Sequence, residues 1–253
     1  MLKYPGTIYI FGNPLLLHGI LEGIGIFVAF RLYLWQKRKQ GDTLEQYNRL
    51  VVLTAATLGA LTGSHVIGAL EDVPKWMASP GFWSYLYGNK TLVGGLVGGL
   101  TFVEVAKKLI GEQQNSGDLY TFPLLLGMIV GRIGCFSAGI YEETYGLPSH
   151  LPLAMDLGDG ILRHPVTLYE IFFLVALWIG LAYIKKRYPL TQGGLFKVFL
   201  ICYLIFRFLL DFIKPGWRYF MGLGTIQLTC LAGLFYYYRY IINPKLIFKN
   251  YAG

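Results

Sequence analysis

The sequence predicts an all-α integral membrane protein with seven transmembrane helices, an outside N-terminus and a cytoplasmic C-terminus. Of its 253 residues, 55% are hydrophobic and only 14% are charged, which is more apolar side chain than a soluble domain of this size can bury. Apolar stretches of about 20 residues, the length that crosses roughly 30 Å of hydrocarbon as a helix, recur along the chain. Basic residues collect in alternate loops, as in proteins oriented by the positive-inside rule.

The predicted spans form a single polytopic membrane domain over residues 1–253. They lie near 14–35, 50–70, 91–110, 119–139, 166–184, 194–213 and 223–242. The first has only Lys3 before it and no small-residue cleavage site after it, so we interpret it as a retained helix and not as a secretory signal.

The basic residues of the short loops predict the orientation. One set of loops and the C-terminal tail contain Lys37, Arg38, Lys39, Arg49, Lys107, Lys108, Lys185, Lys186, Arg187, Arg239, Lys245 and Lys249. The other set contains Lys3, Lys75, Lys90, Arg163, Lys214 and Arg218. This bias places the N-terminus outside. It also explains the net charge of +8 without a nucleic-acid partner, for which no basic face is present.

Two outer segments are long. Residues 71–90 are rich in aromatic side chains, which is typical of an arm lying at the membrane interface. Residues 140–165 contain Gly-Asp-Gly and Leu-Pro turn signals and are expected to form a structured outer cap.

Two arginines lie deep in predicted spans. Arg132, within GRIGCFSAG (131–139), and Arg207 each lie about 13 residues from the inner start of their helix, or roughly 20 Å up at 1.5 Å per residue. Both guanidinium groups are therefore expected about 10 Å below the outer surface. Because a charge at that depth costs a few kcal/mol or more, we expect these arginines to serve a site.

Other polar residues are expected at the same depth. His18 and Glu22 share a face of the first helix, and His65 lies about 15 residues along the second. On the later helices the polar positions are Tyr169, Glu170, Tyr203 and Asp211.

A phospholipid phosphate is the ligand expected between Arg132 and Arg207, since guanidinium groups bind phosphate oxygens bidentately and stay charged at any pH. The alternative is internal ion pairing, of Arg207 with Asp211 or of Arg132 with Glu22.

Glycines near the arginines have two interpretations. GGLVGG (94–99), Gly131 and Gly134 allow either close packing of helices or the approach of a lipid headgroup to the backbone.

Several motifs resemble those of the prolipoprotein diacylglyceryl transferase family. GRIGCF is followed by YGLP, by RHPVTLYE, by the helix YLIFRFLLDF and by GLGTIQL, in the family's order. GRxG together with RHPxxLYE and YxxxRF is specific, whereas GGLVGG is weakly specific. The similarity extends from about residue 15 to about residue 240 and includes the family's seven helices and outside N-terminus.

The resemblance implies an enzyme of the bacterial cytoplasmic (inner) membrane. Such enzymes transfer the diacylglyceryl group of phosphatidylglycerol to the thiol of a prolipoprotein lipobox cysteine and release glycerol phosphate. The catalytic candidates are Arg132, Arg207, Tyr203, His18 and His65. The substrate-binding candidates are Gly94, Gly95, Gly131, Gly134, Arg163, His164, Tyr169, Glu170, Glu22 and Gln227.

The chain departs from the family's pattern at a few positions. Val93 replaces a histidine, Cys135 and Ala138 replace asparagines, and Ile140 replaces a glutamate. We hypothesise that His18 or His65 takes over the proton-handling role of the absent histidine. The acceptor is either a lipoprotein cysteine or another extracytoplasmic nucleophile.

Two other functions use the same residues. One is a phospholipid acyl- or headgroup transferase with Cys135 as an acyl carrier. The other is a non-enzymatic membrane protein that binds or transports phospholipids. No metal or nucleotide cofactor is expected, because the histidines and carboxylates lack HxxxH or HExxH spacing and no Walker-type loop occurs. Cys135, Cys202 and Cys230 lie in apolar segments, so no disulfide framework is expected either.

Overall fold

The computed structural model describes residues 4–10 and 13–249, and this part of the chain is mostly helical. Its strands and helices follow in the order β1 (Thr7–Ile10), β2 (Asn13–Leu16), α1 (Leu17–Gln40), α2 (Gln46–Ala69), α3 (Val73–Ala78), α4 (Phe82–Gly88), α5 (Leu92–Leu109), α6 (Asp118–Ala138), β3 (Met155–Asp156), β4 (Leu162–Arg163), α7 (Val166–Arg187), α8 (Gly194–Leu210), α9 (Thr225–Tyr236) and α10 (Tyr238–Ile242).

Four helical segments are long and apolar enough to cross a membrane. They are Leu17–Gln40, Gln46–Ala78, Asp118–Tyr141 and Val166–Arg187. These helices confirm the coarser prediction of a helical, multi-pass membrane protein. The other three predicted spans fall on α5, α8 and α9, which have 18, 17 and 12 residues. Helix length and apolar composition together therefore support four of the seven predicted spans.

The first and last spans differ from their predicted ranges. Residues 14–16, where the first helix was expected to begin, belong instead to β2, which pairs with β1 in an antiparallel ladder that places Thr7 opposite Leu16. At the other end of the chain, the predicted helix 223–242 is interrupted at Tyr237, which separates α9 from α10.

The long helices associate in pairs. The most extensive contacts are between α2 and α5 and between α1 and α6, while α7, α8 and α9 pack beside α6 and one another. The apolar core lies among α6, α7, α8 and α9, where Leu125, Leu174, Phe199 and Leu204 are fully buried. Helix α1 packs on this core through α6, and the α2–α5 pair lies beside it.

Glycines set the distance between α2 and α5. A Cβ atom on Gly63 would collide with the carbonyl oxygen of Gly94, and one on Gly98 would collide with that of Gly59. In the motif GGLVGG, Gly94 and Gly98 thus serve helix packing, which was one of the two interpretations of the sequence. Gly95, in contrast, has only ordinary contacts at its Cβ position.

The outer segments contain local structure. In the arm, α3 and α4 are held together by stacking of Trp76 on Phe82, with ring centroids 4.8 Å apart. In the cap, β3 and β4 form a short antiparallel ladder, and Arg163 Nη2 lies 2.6 Å from Asp159 Oδ2.

An ion cluster fixes the loop between α1 and α2. Arg49, 2% exposed, donates through Nε to Asp42 Oδ2 at 2.7 Å, and Lys37 Nζ lies 3.1 Å from the same oxygen. Burial works to raise the pKa of Asp42, but hydrogen bonds from Arg49, the Leu44 backbone and Lys37 outweigh it and lower that pKa to about 2.

We expect Gly63→Ala to destabilise the α2–α5 pair by about 1 to 3 kcal/mol, because the new methyl group meets backbone that cannot move aside. Gly95→Ala is the matched control: it lies on the partner helix α5, next to the contacted Gly94, and should leave stability nearly unchanged. Thermal unfolding of both variants in detergent measures the difference. Equal melting temperatures for the two variants would contradict the proposed packing.

We expect Asp42→Asn to cost about 3 kcal/mol, because it leaves the buried Arg49 guanidinium without its carboxylate. The exposed Glu45→Gln in the same loop serves as the control. Since the folded-state pKa of Asp42 lies below its ordinary value, the stabilisation is present above about pH 4 and is lost as pH falls toward 2. The difference in unfolding midpoint between wild type and Asp42→Asn should therefore shrink in acid.

Candidate active site

A cavity of about 1140 Å³ separates the helix pair α1/α6 from the pair α2/α5. One end of it, here called the polar end, is lined by His18, Glu22, Lys90, Arg132, Cys135 and Glu142. The walls between the two ends are mainly apolar, and the far end reaches Lys107, Lys197 and Tyr240. This volume exceeds the 300 to 1,000 Å³ typical of small-molecule pockets, which suits a ligand with long apolar chains.

Arg132 lies on α6 and reaches the polar end, and the three nitrogens of its guanidinium have different surroundings. Nε lies 2.8 Å from Glu170 Oε2, and Nη1 lies 3.5 Å from Cys135 Sγ. Nη2 makes no hydrogen bond to any residue that the structure describes. Gly131, next to it, lines the cavity and has no heavy atom within 4 Å of its Cβ position. One donor edge of Arg132 is thus left for a ligand.

Glu170 holds Arg132 in place. Its Oε1 accepts a hydrogen bond from Tyr203 Oη at 2.8 Å, and its side chain is 4% exposed. Arg207 also acts on this carboxylate electrostatically. A carboxylate buried in an apolar helix bundle needs such cations and donors, since desolvation alone would disfavour its charge.

The predicted clamp of Arg132 and Arg207 around one phosphate stays a prediction. Arg207 does not line the cavity and is 4% exposed, with Nη1 buried and without a hydrogen-bond partner in the described residues. Glu170 lies beside Arg132 Nε and accepts a hydrogen bond from Tyr203, and Arg207 acts electrostatically on the same carboxylate.

Of the two predicted internal ion pairs, that of Arg207 with Asp211 is confirmed and that of Arg132 with Glu22 is wrong. Arg132 pairs with Glu170, whereas Glu22 accepts two hydrogen bonds from Lys90 Nζ at 2.8 and 3.0 Å. Arg207 Nη2 does lie near Asp211 Oδ1, but at 3.8 Å. Asp211 has a closer partner in Arg218, whose Nη1 is 2.9 Å from Asp211 Oδ2.

His18 lies at the polar end through close contact of α1 with α6. A Cβ atom on Gly134 would stand 3.2 Å from His18 O and 3.3 Å from His18 Nδ1, so the glycine makes room for the histidine. His18 Nε2 lies 3.3 Å from Glu142 Oε1 and 3.8 Å from Glu22 Oε2. The imidazole is also within interaction range of the Cys135 thiol, although its buried Nδ1 forms no aligned hydrogen bond.

His65 lines the same cavity but has different partners. Its Nδ1 is 3.1 Å from the carbonyl oxygen of Asn89, and its ring packs edge-on against Tyr87. Of the two histidines considered for proton handling, only His18 has carboxylate partners among the described residues.

The remaining predicted residues are split between the cavity and its surroundings. Gly95 lines the cavity, whereas Gly94 faces α2. His164 Nδ1 lies 3.3 Å from Tyr169 Oη, away from the cavity lining. Gln227 is fully buried and accepts a hydrogen bond from Arg218 Nη1 at 2.8 Å. Arg163 belongs to the cap through its ion pair with Asp159.

Sequence reasoning missed Lys90 and Glu142 as site residues. Lys90 was counted only among the loop charges, and Glu142 was not among the candidates, yet they supply the ion-pair partners of Glu22 and His18. The available signal was Thr91, whose side chain caps α5 at Gly94 N and so places the preceding Lys90 at the helix entrance.

A second, smaller cavity of about 190 Å³ is lined by charged residues of the loops, among them Lys75, Glu143, Lys214 and Arg218. Burial lowers the pKa of Lys214 to about 8, and the nearby charge of Arg207 acts in the same direction.

Known proteins match this chain along nearly its whole length. The family model described as prolipoprotein diacylglyceryl transferase matches residues 5–242. A phosphatidylglycerol-prolipoprotein diacylglyceryl transferase of Finegoldia magna is 25% identical over 225 residues, covering 88% of each chain. Proteins of the same name from Bordetella parapertussis and Methylococcus capsulatus are each 29% identical and cover 90% and 91% of this chain and 90% and 93% of their own.

The matched range includes the motifs that surround the polar end of the cavity, from GRIGCF on α6 to RHPVTLYE on α7. The match spans all the helices that build the site. The chain therefore belongs to the prolipoprotein diacylglyceryl transferase family.

Proposed function

We propose that this protein transfers the diacylglyceryl group of phosphatidylglycerol to the thiol of a prolipoprotein cysteine. The observation that carries the proposal is the polar end of the cavity, where Arg132 keeps one donor edge free beside a histidine held by carboxylates. The relatives are named for this reaction.

The free donor edge of Arg132 favours an anionic ligand. Lys90 at the polar end is paired with Glu22, and Glu142 lies beside His18. A phospholipid phosphate would bind at Arg132 Nη2, with the acyl chains in the apolar part of the cavity.

The same position suits the leaving group. When a thiolate attacks the glycerol carbon, the carbon-oxygen bond breaks and its electron pair goes to the phosphate oxygen. A cation fixed beside that oxygen stabilises the charge that develops in the transition state. Glu170, Tyr203 and Arg207 act here by positioning Arg132, so that little reorganisation is needed.

His18 is the residue we assign to the proton of the acceptor thiol. Its Nε2 contacts carboxylates of Glu142 and Glu22, and these favour the protonated imidazole that forms during the reaction. His65 lacks such partners among the described residues and is bound to a backbone carbonyl.

The proposal includes the membrane orientation. The polar end, the arm and the cap would face outside, in one polytopic domain of seven spans in the bacterial cytoplasmic (inner) membrane, with the C-terminus in the cytoplasm. In support, the basic residues are concentrated at the opposite ends of the helices. The shorter helices α5, α8 and α9 would complete the bundle by packing against the longer ones.

We expect purified protein in phosphatidylglycerol vesicles to add a diacylglyceryl mass to a lipobox peptide, measured by mass spectrometry. Arg132→Gln should lower kcat by about 10²-fold or more, because it removes the cation beside the leaving group. Arg31→Gln, at an exposed position on α1, is the matched control and should behave as wild type.

Other products of this assay would contradict the proposal. Lysophospholipid without modified peptide would indicate acyl transfer, and lipid binding without any product would indicate a lipid-binding protein.

We expect His18→Gln to lower kcat by about 10²-fold with a smaller effect on KM, because the imidazole accepts a proton in the transition state. His65→Gln should retain most of the activity. The two variants share the assay and the cavity, so each serves as the other's control. A larger loss in the His65 variant would transfer the proton-handling role to that residue.

A further inference from the structure

The far end of the larger cavity contains two lysines. Lys107 comes from the last turn of α5 and Lys197 from the first turn of α8, and both line the cavity together with Ser116 and Tyr240. Neither ammonium group forms an ion pair within the described part of the chain. The cavity therefore has cations at both of its ends, with an apolar stretch between them.

Lys107 is enclosed by protein. It is 7% exposed, whereas Lys108 beside it is exposed, so Lys107 does not extend its ammonium group to the membrane surface as lysines at helix ends usually do. Glu112 acts on it electrostatically, but no acceptor among the described residues is hydrogen-bonded to its ammonium group. A buried cation without a direct partner is costly in a helix bundle, and such a charge is typical of a binding site.

Tyr240 orients the second lysine. Lys197 Nζ donates a hydrogen bond to Tyr240 Oη at 3.1 Å and lies 4.2 Å from the centre of the same ring. This contact uses one of the three ammonium protons. The other two remain for a ligand in the cavity.

The loop between α5 and α6 ties this end together. Asp118 caps the start of α8, where its carboxylate accepts hydrogen bonds from the backbone N–H groups of Gly193 and Phe196 at 2.9 and 3.0 Å. This contact places the loop against the turn that carries Lys197. Ser116, which precedes the cap and is 7% exposed, adds a hydroxyl group to the cavity lining.

One carboxylate shares the far end. Glu104 lies one turn before Lys107 on α5, lines the cavity and is within interaction range of Tyr236. It forms no ion pair with Lys107 or Lys197 in the described ranges 4–10 and 13–249. Both ammonium groups therefore stay available to an anion that enters the cavity.

The length of the cavity places its two ends in different leaflets. On α5 the lining extends from Thr91 to Lys107, which is about 24 Å at 1.5 Å per residue. One leaflet contributes about 15 Å of hydrocarbon, half of the roughly 30 Å core. A lipid whose phosphate binds at Arg132 therefore leaves the far end to a second ligand.

We propose that the far end of the cavity binds a phosphate group, carried by an anionic phospholipid of the cytoplasmic leaflet. Lysine ammonium groups bind phosphate as point charges, and basic pockets between membrane helices on the cytoplasmic side are typical headgroup sites. The inference goes beyond diacylglyceryl transfer and takes from the proposed function only the orientation, which places this end at the cytoplasmic face. Free glycerol phosphate has the same chemistry and is the alternative source.

The first test counts, by native mass spectrometry, the phosphatidylglycerol molecules that the purified full-length protein retains. We expect wild type to retain two and the double variant Lys107→Gln/Lys197→Gln to bind one of them about tenfold more weakly or not at all. Arg132→Gln should lose the other molecule. Lys108→Gln, at the exposed neighbouring position, is the matched control and should retain two. Diacylglycerol, which has the chains but no phosphate, should not replace the lipid at the far end.

Thermal unfolding separates binding from a structural role of Lys107. In lipid-free detergent, Lys107→Met should unfold at the temperature of wild type or above it, because the variant lacks a buried charge without a direct partner. Added phosphatidylglycerol should raise the midpoint of wild type more than that of Lys107→Met, since a ligand stabilises the state that binds it. A lower midpoint of Lys107→Met without lipid, together with an unchanged response to lipid, would contradict the inference.

Titration with glycerol phosphate identifies the source of the phosphate. We expect it to bind the lipid-free protein much more weakly than phosphatidylglycerol does. Equally strong binding that the double variant loses would keep the phosphate site and assign it to the free ester.

Two results overturn the inference: a wild type that retains a single phosphatidylglycerol and binds no glycerol phosphate, or a double variant that matches wild type with both ligands. Neither measurement uses peptide lipidation. A protein that forms no lipidated peptide would therefore reject the proposed function and leave the phosphate site intact.

Discussion

The ion pair between Arg132 and Glu170 is the interaction on which the site depends. Both side chains are largely removed from solvent, at 12% and 4% exposure, in a helix bundle where a lone charge costs several kcal/mol. The pair is tolerated because each partner is satisfied further: Glu170 by Tyr203, and Arg132 by the Cys135 thiol. What remains is a guanidinium edge fixed in direction, which a flexible arginine would not offer.

That fixed edge depends in turn on how the helices approach one another. Gly134 lets α1 come close enough for His18 to reach the polar end, and the glycines of α5 bring α2 to the opposite wall. The cavity between the two helix pairs is therefore defined by backbone contacts rather than by large side chains. Its apolar walls and charged end match the two parts of a phospholipid.

Much of the fold could be predicted from the sequence because membrane helices carry a strong hydrophobic signal. The long α1, α2, α6 and α7 were found within a few residues, and Arg132 was recognised from its depth alone. The pairing of residues 7–10 with residues 13–16 was missed, since a short strand pair has no comparable signal. Depth counting predicted a height for Arg132 and Arg207 but no rotation about the helix, so it could not show that Arg132 meets Glu170. Lys90 and Glu142 lie outside the long apolar helices, so their contacts with Glu22 and His18 could not be predicted from the periodicity of the sequence.

Arg132, Cys135 and His18 are contributed by α6 and α1 and meet only because these helices are in direct contact. Of the two described histidines that line the cavity, only His18 has carboxylate partners. The family resemblance implies a histidine on α5 where this chain has Val93. Under the proposed function, the proton of the acceptor thiol would therefore be handled at the α1–α6 contact, while the cation that faces the phosphate would be Arg132 on α6.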